Sequence, residues 1–330
     1  MNKIAILGCG NMGTALALVL AEHAVPVVLY SIEQDVTDSI NRKHINEKYL
    51  AGIKLPRNIS AADNIEDTVR DADMVIFAVP SFALEEVAKN AAHHLKKTAL
   101  VGCITKGFDA KSGLPLGLEI SKWLPLGFKE NYCLIGGPAV ATELALHKPS
   151  AIIIGSRDIK AAKKMAATFQ GDTLKAATSE DITGIAYSMV LKNIYAIGMG
   201  LCEGLKFPMN TRALVMTVAI QEIGSILEAV GAQSQTAMSL AGLGDLIVTG
   251  FSPHGRNRTY GEKLVGSKSK DPKKLGLTTV EGIPASEIGQ RLSKKLKVKA
   301  PLMDAIRACL LADKKFEQPF VNYLKVLRLK

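Results

Sequence analysis

The sequence predicts an α/β fold, a doubly wound sheet followed by an all-α domain, and three observations predict it. Short apolar runs without helical period recur through the first half, each stopped by glycine, proline or a charge. Helical stretches alternate with these runs, the pattern of βαβ units. From Asp181 onward the apolar stretches lengthen and take a helical period, and strand candidates become few. A chain of 330 residues fits two domains at roughly 100–200 residues each. The expected division is 1–182 and 183–330.

The first element is the best specified. Residues 3–20 read KIAILGCGNMGTALALVL. The apolar run Ile4-Ala5-Ile6-Leu7 is a buried parallel strand. Gly8, Gly10 and Gly13 follow at G-x-G-x-x-G spacing, and the pattern then turns helical. Gly8 permits the tight turn, Gly10 lets a pyrophosphate approach the backbone, and Gly13 lets the new helix pack on the sheet. The free N–H groups at the helix start face the phosphates. The N-terminal domain is therefore expected to be a Rossmann-type sheet that binds a dinucleotide.

Residues 25–30 form the second predicted strand, with Ser31 just past its end. An acid there would bind the ribose 2′-hydroxyl of NAD. Ser31 is not one, Glu33 falls about two residues late, and Arg42 and Lys43 lie further on. The spacing leaves NAD and NADP both open, with a lean to NADP because no carboxylate obviously repels a 2′-phosphate.

Residues 44–62 read as loop, punctuated by Gly52 and Pro56, and 65–70 as a short helix. A buried strand over 73–80 ends at Pro80, and 82–93 is helical. The strand over 99–104 ends in Thr105-Lys106-Gly107, and that over 132–136 in Gly136-Gly137-Pro138-Ala139. Strands over 151–154 and 174–178 complete the series. The second half opens with apolar helices over 181–203 and 213–230. Gly198 and Gly200 lie inside the first and cost roughly 1 kcal/mol each against alanine, which implies close packing or a nearby ligand. Residues 266–277 are a basic loop, and 284–296 and 301–312 are short helices.

Composition removes several functional classes. Net charge is +10, but aromatic residues are 5% and do not interleave with the basic ones, against a base-stacking surface. Nucleic acid is not an expected partner; a phosphorylated small molecule and a solvated basic face account for the charge. The run 294–299, KKLKVK, reads as such a face. Five cysteines without a C-x-x-C pair argue against a disulfide framework or zinc site and suit a reducing cytoplasm. No metal is expected. No apolar run reaches the roughly 18–20 residues of a membrane span, and the N-terminal strand does not read as a signal peptide.

Four places carry candidate chemistry. Lys106 stands at the C-terminal end of a strand, where open α/β sheets bind ligands; the alternative is a surface lysine. Lys192-Asn193 lies in a helix apolar nearly all round. A lysine buried there needs a partner, and burial would bring its pKa into acid–base range. The alternative is a side chain snorkelling at the helix edge. Asp245, alone among apolar residues, could orient a lysine or merely cap a helix. Arg256-Asn257-Arg258 after Gly255 reads as a glycine turn whose guanidinium groups could fork a phosphate, or as a solvated basic loop.

Together these segments resemble the bacterial NAD(P)-dependent glycerol-3-phosphate dehydrogenase family nearly end to end. GCGNMGTALA, FAVPS, TKG, GGPAVATELA, LKNIYAIGMGLCEGL, NTRALVMT, GLGDLIVT, GRNRTYG and TVEG occur in the family's order. The resemblance implies that Asn11 and Met12 touch the cofactor diphosphate and that Lys106 contacts substrate and cofactor. It implies that Gly137 and Ala139 line the substrate site and that Ala141 touches the cofactor. Lys192 would be the acid–base, with Asn193 beside it and Asp245 and Thr249 in support. Gly255, Arg256 and Asn257 would hold the substrate phosphate, Arg256 also lying near the cofactor, and Val280 and Glu281 would close over the cofactor. The implied reaction is hydride transfer between NAD(P)H and dihydroxyacetone phosphate, feeding glycerophospholipid synthesis, in a homodimer. Ala139-Val140 replaces the family's small polar residue and aromatic, and Tyr30-Ser31-Ile32 lacks the arginine or histidine many relatives carry. Two alternatives remain at this point: a hydroxyacid or 6-phosphogluconate type of dehydrogenase, and a non-catalytic nucleotide sensor.

Overall fold

A computed structural model describes residues 1–253 and 255–328. Two units emerge, Met1–Lys106 with Leu116–Ile182, and Gly107–Pro115 with Thr183–Lys330.

The first unit is built on an eight-stranded sheet: β1 (Ile4–Leu7), β2 (Val27–Tyr30), β3 (Ile59–Ala62), β4 (Met74–Phe77), β5 (Leu100–Cys103), β6 (Cys133–Gly136), β7 (Ser150–Gly155) and β8 (Leu174–Ser179). The spatial order is β3-β2-β1-β4-β5-β6-β7-β8. Every neighbouring pair is parallel except β6 and β7. The central strands β1, β4, β5 and β6 are buried at every position, as expected of parallel strands covered on both faces. The helices are α1 (Asn11–Ala21), α2 (Gln34–Asp38), α3 (Ile65–Val69), α4 (Leu84–Ala92), α5 (Leu116–Glu119), α6 (Ala141–Ala145) and α7 (Ile159–Phe169). Strand order reverses between β1 and β4, so a crevice opens at their C-terminal ends, the usual place for a dinucleotide.

The second unit is helical: α8 (Ile182–Gly204), α9 (Met209–Ala229), α10 (Asp245–Phe251), α11 (Arg256–Leu264), α12 (Gly282–Lys295), α13 (Pro301–Leu311) and α14 (Gln318–Val326). Residues Gly107–Pro115 join it, and the Phe108 ring packs edge-on against Tyr187 at 6.2 Å between centroids. By length and composition α8 could cross a membrane, contrary to the expectation that no run is long enough, but its apolar window is wholly buried within the protein. It is the core helix of this unit.

Two segments differ from the sequence reading. Residues 44–62 are not all loop, since β3 takes their end and pairs in parallel with β2. Its sequence, ISAA, buries only alternate residues and makes no apolar run. The segment after Gly255 is not a turn but the first turn of α11, with Gly255 as its N-cap. The mid-helix glycines resolve as packing. A methyl group on Gly200 would lie 1.9 Å from the Arg258 carbonyl oxygen, and one on Gly261 would lie 2.1 Å from that of Ile197. Helices α8 and α11 therefore meet backbone to backbone. Gly198 faces the Ile306 side chain instead.

Candidate active site

In the first unit the glycine turn has the geometry its spacing predicts. Gly8 has φ +127°, open to glycine, and a Cβ there would strike the Ala78 carbonyl at 2.6 Å. A Cβ on Gly13 would lie 2.0 Å from the Gly8 carbonyl oxygen, so α1 can seat on the turn only without one. Around Gly10 nothing comes within 4 Å of the same position, which leaves the backbone open to a ligand. Asn11 is exposed and Met12 half-buried at the start of α1, whose first turn offers free N–H groups. These residues fit a dinucleotide diphosphate.

A residue that sequence reasoning missed holds this turn in place. Asn46 is wholly buried. Its Nδ2 donates to the Cys9 carbonyl and to Thr14 Oγ1, both at 2.8 Å, and its Oδ1 accepts from the Tyr49 N–H at 3.1 Å. A lone asparagine in a polar segment gives no signal of this in the sequence.

Lys106 stands three residues past the end of β5. Thr105 before it donates its hydroxyl to the Val79 carbonyl at 2.8 Å, and Gly107 after it has φ +134°. Gly137 has φ +114° at the end of β6, with Ala139 and Ala141 partly buried beyond it. The structure thus brings the glycine turn, Lys106, Gly137, Ala139 and Ala141 to the C-terminal ends of β1, β5 and β6 in one unit.

In the second unit Lys192 is 3% exposed and paired. Its Nζ donates to Asp245 Oδ1 at 2.9 Å and also to Thr249 Oγ1. Thr249 in turn donates to Asp245 Oδ1 at 3.3 Å. Asp245 opens α10, and Thr249 stands one turn later on the same face, so one short helix presents both groups to α8. Leaving either charge of such a buried pair alone would cost several kcal/mol, about 3–5. This side chain does not snorkel.

Asn193 anchors a second network. Asn257 Nδ2 donates to Asn193 Oδ1 at 3.0 Å, and Asn257 Oδ1 accepts from the Gly282 N–H at 2.9 Å. A Cβ on Gly282 would lie 2.5 Å from the Asn193 carbonyl oxygen, so α12 seats against α8 at that residue. One asparagine side chain thereby ties the starts of α11 and α12 to α8. Val280 is buried and Glu281 partly buried just before α12. Gly255 fits under the Thr249 carbonyl, 2.7 Å from where a Cβ would sit. Arg256, first residue of α11, is exposed. Arg258 is not available to fork a phosphate, contrary to the reading of a turn with two free arginines. It is buried, bonds the Ser252 carbonyl through Nε at 2.9 Å, and pairs with Glu262 at 3.0 Å and Glu203 at 3.7 Å.

A glycine-turn dinucleotide sheet and a helical unit with a buried lysine–aspartate pair define a class, the two-domain nicotinamide-dependent dehydrogenases. Comparison with known proteins narrows it. Residues 3–162 match the N-terminal model of the NAD-dependent glycerol-3-phosphate dehydrogenases, and residues 181–320 match the C-terminal model. The glycerol-3-phosphate dehydrogenase [NAD(P)+] of Clostridium botulinum is 33% identical over 317 residues, covering 95% of this chain and 94% of the relative. That of Bacillus subtilis is 33% identical over 319 residues, covering 96% and 92%. The crystal structure of glycerol-3-phosphate dehydrogenase from Coxiella burnetii superposes with TM-score 0.88 at 29% identity, covering 98% of this chain and 99% of that one. The chain belongs to the NAD-dependent glycerol-3-phosphate dehydrogenase family.

Proposed function

We propose that this chain catalyses reversible hydride transfer between NAD(P)H and the C2 carbonyl of dihydroxyacetone phosphate, giving sn-glycerol 3-phosphate. The observation that carries the residue assignment is the buried pair Lys192 and Asp245 with the half-buried Thr249, within a chain that matches the family in both halves. The cofactor, when bound on the glycine turn, supplies or accepts the hydride. Lys192 donates a proton to the ketone oxygen, or takes the hydroxyl proton in the reverse direction. Asp245 and Thr249 fix the direction of its ammonium. Lys106 adds a second cation to the developing alkoxide. The substrate phosphate lies at the N-terminus of α11, on Gly255, the Asn257 backbone and the exposed Arg256, where free N–H groups and a guanidinium favour an anion. The Asn257 side chain, engaged with Asn193 and Gly282, positions that helix end. Gly137 and Ala139 line the substrate through backbone, with no hydroxyl at Ala139. Ala141, Val280 and Glu281 border the cofactor.

The same reading places the enzyme in glycerophospholipid synthesis, in the cytoplasm, and as a homodimer. Five unbridged cysteines suit a reducing compartment. Met209, Met238, Ile247, Phe251 and Leu311 are exposed apolar side chains of the helical unit that a second copy could cover.

The test is to follow NADH or NADPH absorbance with dihydroxyacetone phosphate. Lys192→Ala should lower kcat by at least roughly 100-fold with cofactor affinity kept, in line with general acid catalysis. Because that variant strands Asp245, Lys192→Met combined with Asp245→Asn separates chemistry from folding: it should fold yet stay inactive. Near-normal turnover in either removes Lys192 from the role.

A further inference from the structure

The end of β2 was the one part of the cofactor site the sequence left open. There the backbone bends back: the Glu33 N–H donates to Ser31 Oγ at 3.1 Å, and Glu33 becomes the N-cap of α2. Glu33 stands twenty positions after Gly13, the distance at which dinucleotide sheets place the acid that binds the adenosine ribose. Its charge is felt at the turn itself, since Glu33 contributes to raising the Cys9 thiol, which Ser31 hydrogen-bonds. The carboxylate is held in place: Tyr49 donates its phenol to Oε2 at 2.6 Å, and Lys48 pairs with Oε1. Those two bonds hold the Glu33 carboxyl below its ordinary value, so it is a carboxylate at neutral pH.

Charges around it offer little to a second phosphate. Lys48 also faces Asp35 at 3.6 Å, Lys43 pairs with Glu47 at 3.0 Å, and Arg42 lies 3.8 Å from Asp38. Asp63 and Glu86 add negative charge near Tyr30 at the strand end. Arg42, Lys43 and Lys48 thus each face an acid.

We infer that Glu33, clamped by Tyr49 and Lys48, is the specificity-determining residue that makes this enzyme prefer NADH to NADPH. Each carboxylate oxygen has one lone pair left after its protein bond, enough to accept a ribose 2′-hydroxyl. A 2′-phosphate at the same place would bring about two negative charges against Glu33 and Asp35. This runs opposite to the lean toward NADP drawn from spacing alone. It rests on the cofactor site proposed above.

The experiment measures dissociation constants of NADH and NADPH by calorimetry at low and moderate salt, with no substrate present. Wild type should bind NADH at least roughly tenfold tighter than NADPH, the gap narrowing as salt screens the repulsion. Glu33→Gln, which keeps shape and one acceptor, should tighten NADPH and shrink the gap to about threefold or less. Tyr49→Phe, which frees one carboxylate oxygen, should weaken NADH and leave NADPH excluded. Equal or tighter NADPH binding by wild type overturns the inference, as does an unchanged ratio in Glu33→Gln or failure of both cofactors to bind. Discrimination that holds in binding while dihydroxyacetone phosphate goes unreduced supports the inference and removes the reaction assignment alone.

Discussion

At the scale of single residues, the site depends on polar side chains whose partners are mostly backbone or buried groups. Asn46 is the clearest. It donates to the Cys9 carbonyl and the Thr14 hydroxyl beneath the glycine turn, in a place closed to solvent. Replacing it with leucine would take one donor from each, leaving only the 3.2 Å bond from the Thr14 hydroxyl to the Cys9 carbonyl, and would remove the acceptor of the Tyr49 N–H, at a cost of about 1–3 kcal/mol. Asn46→Leu is expected to lose about 2 kcal/mol of stability in urea and to weaken NADH binding by roughly tenfold. Unchanged NADH affinity in a destabilised variant would reduce Asn46 to scaffolding. Lys192 and Asp245 were legible because each is a charge isolated among apolar residues, and the cost of burying one implies the other. Asn46 and Asn257 were not legible in their positioning roles. An uncharged amide in a polar stretch looks the same whether it is solvated or holds three elements together.

At the scale of elements, apolar periodicity revealed what packs by side chains and missed what packs by backbone. The central strands were readable as runs, because both faces are covered. Helix α11 was not. Its buried positions are Asn257, Arg258, Tyr260, Gly261 and Leu264, a helical stripe made mostly of polar residues and glycine. What shapes that stripe is the approach of α8, and the glycines are its only trace in the sequence. Gly200→Ala tests this. A methyl 1.9 Å from the Arg258 carbonyl cannot be absorbed by a side-chain rotation, since the obstacle is main chain. The two helices must separate, at a cost above about 3 kcal/mol, in the range of severe overpacking. Because α11 carries Arg256 and Asn257 at its start, the same variant should raise KM for dihydroxyacetone phosphate more than KM for NADH. Gly198→Ala meets side chains, Ile306 at 2.8 Å and Phe320 at 3.8 Å, and should cost much less. Equal effects at the two positions would contradict the backbone contact.

At the scale of the whole molecule, one buried acid couples stability to pH. Glu222 on α9 is 5% exposed and serves the N-terminus of α13. It accepts from the Leu302 and Met303 N–H groups at 2.6 and 3.0 Å, and from the Tyr195 phenol at 3.0 Å. Pro301, which has no N–H to satisfy, starts that helix. Burial raises the Glu222 carboxyl from 4.5 to about 7, and the three donors, which favour the ionised form, only partly offset it. The folded protein therefore holds this proton more tightly than the unfolded chain. The stabilising contribution is complete below pH 4.5, declines as pH rises through 7, and is gone above it. A shift of this size corresponds to about 3 kcal/mol across the window. Glu222→Gln abolishes the titration while turning an amide N–H toward a helix N-terminus, so the variant is less stable than wild type at pH 5. Between pH 5 and pH 8 that deficit should shrink by about 3 kcal/mol in denaturant titrations, because only wild type loses a bound proton. A deficit that stays constant over the window would mean that the carboxyl keeps an ordinary pKa, and that the helix N-terminus, not burial, governs it.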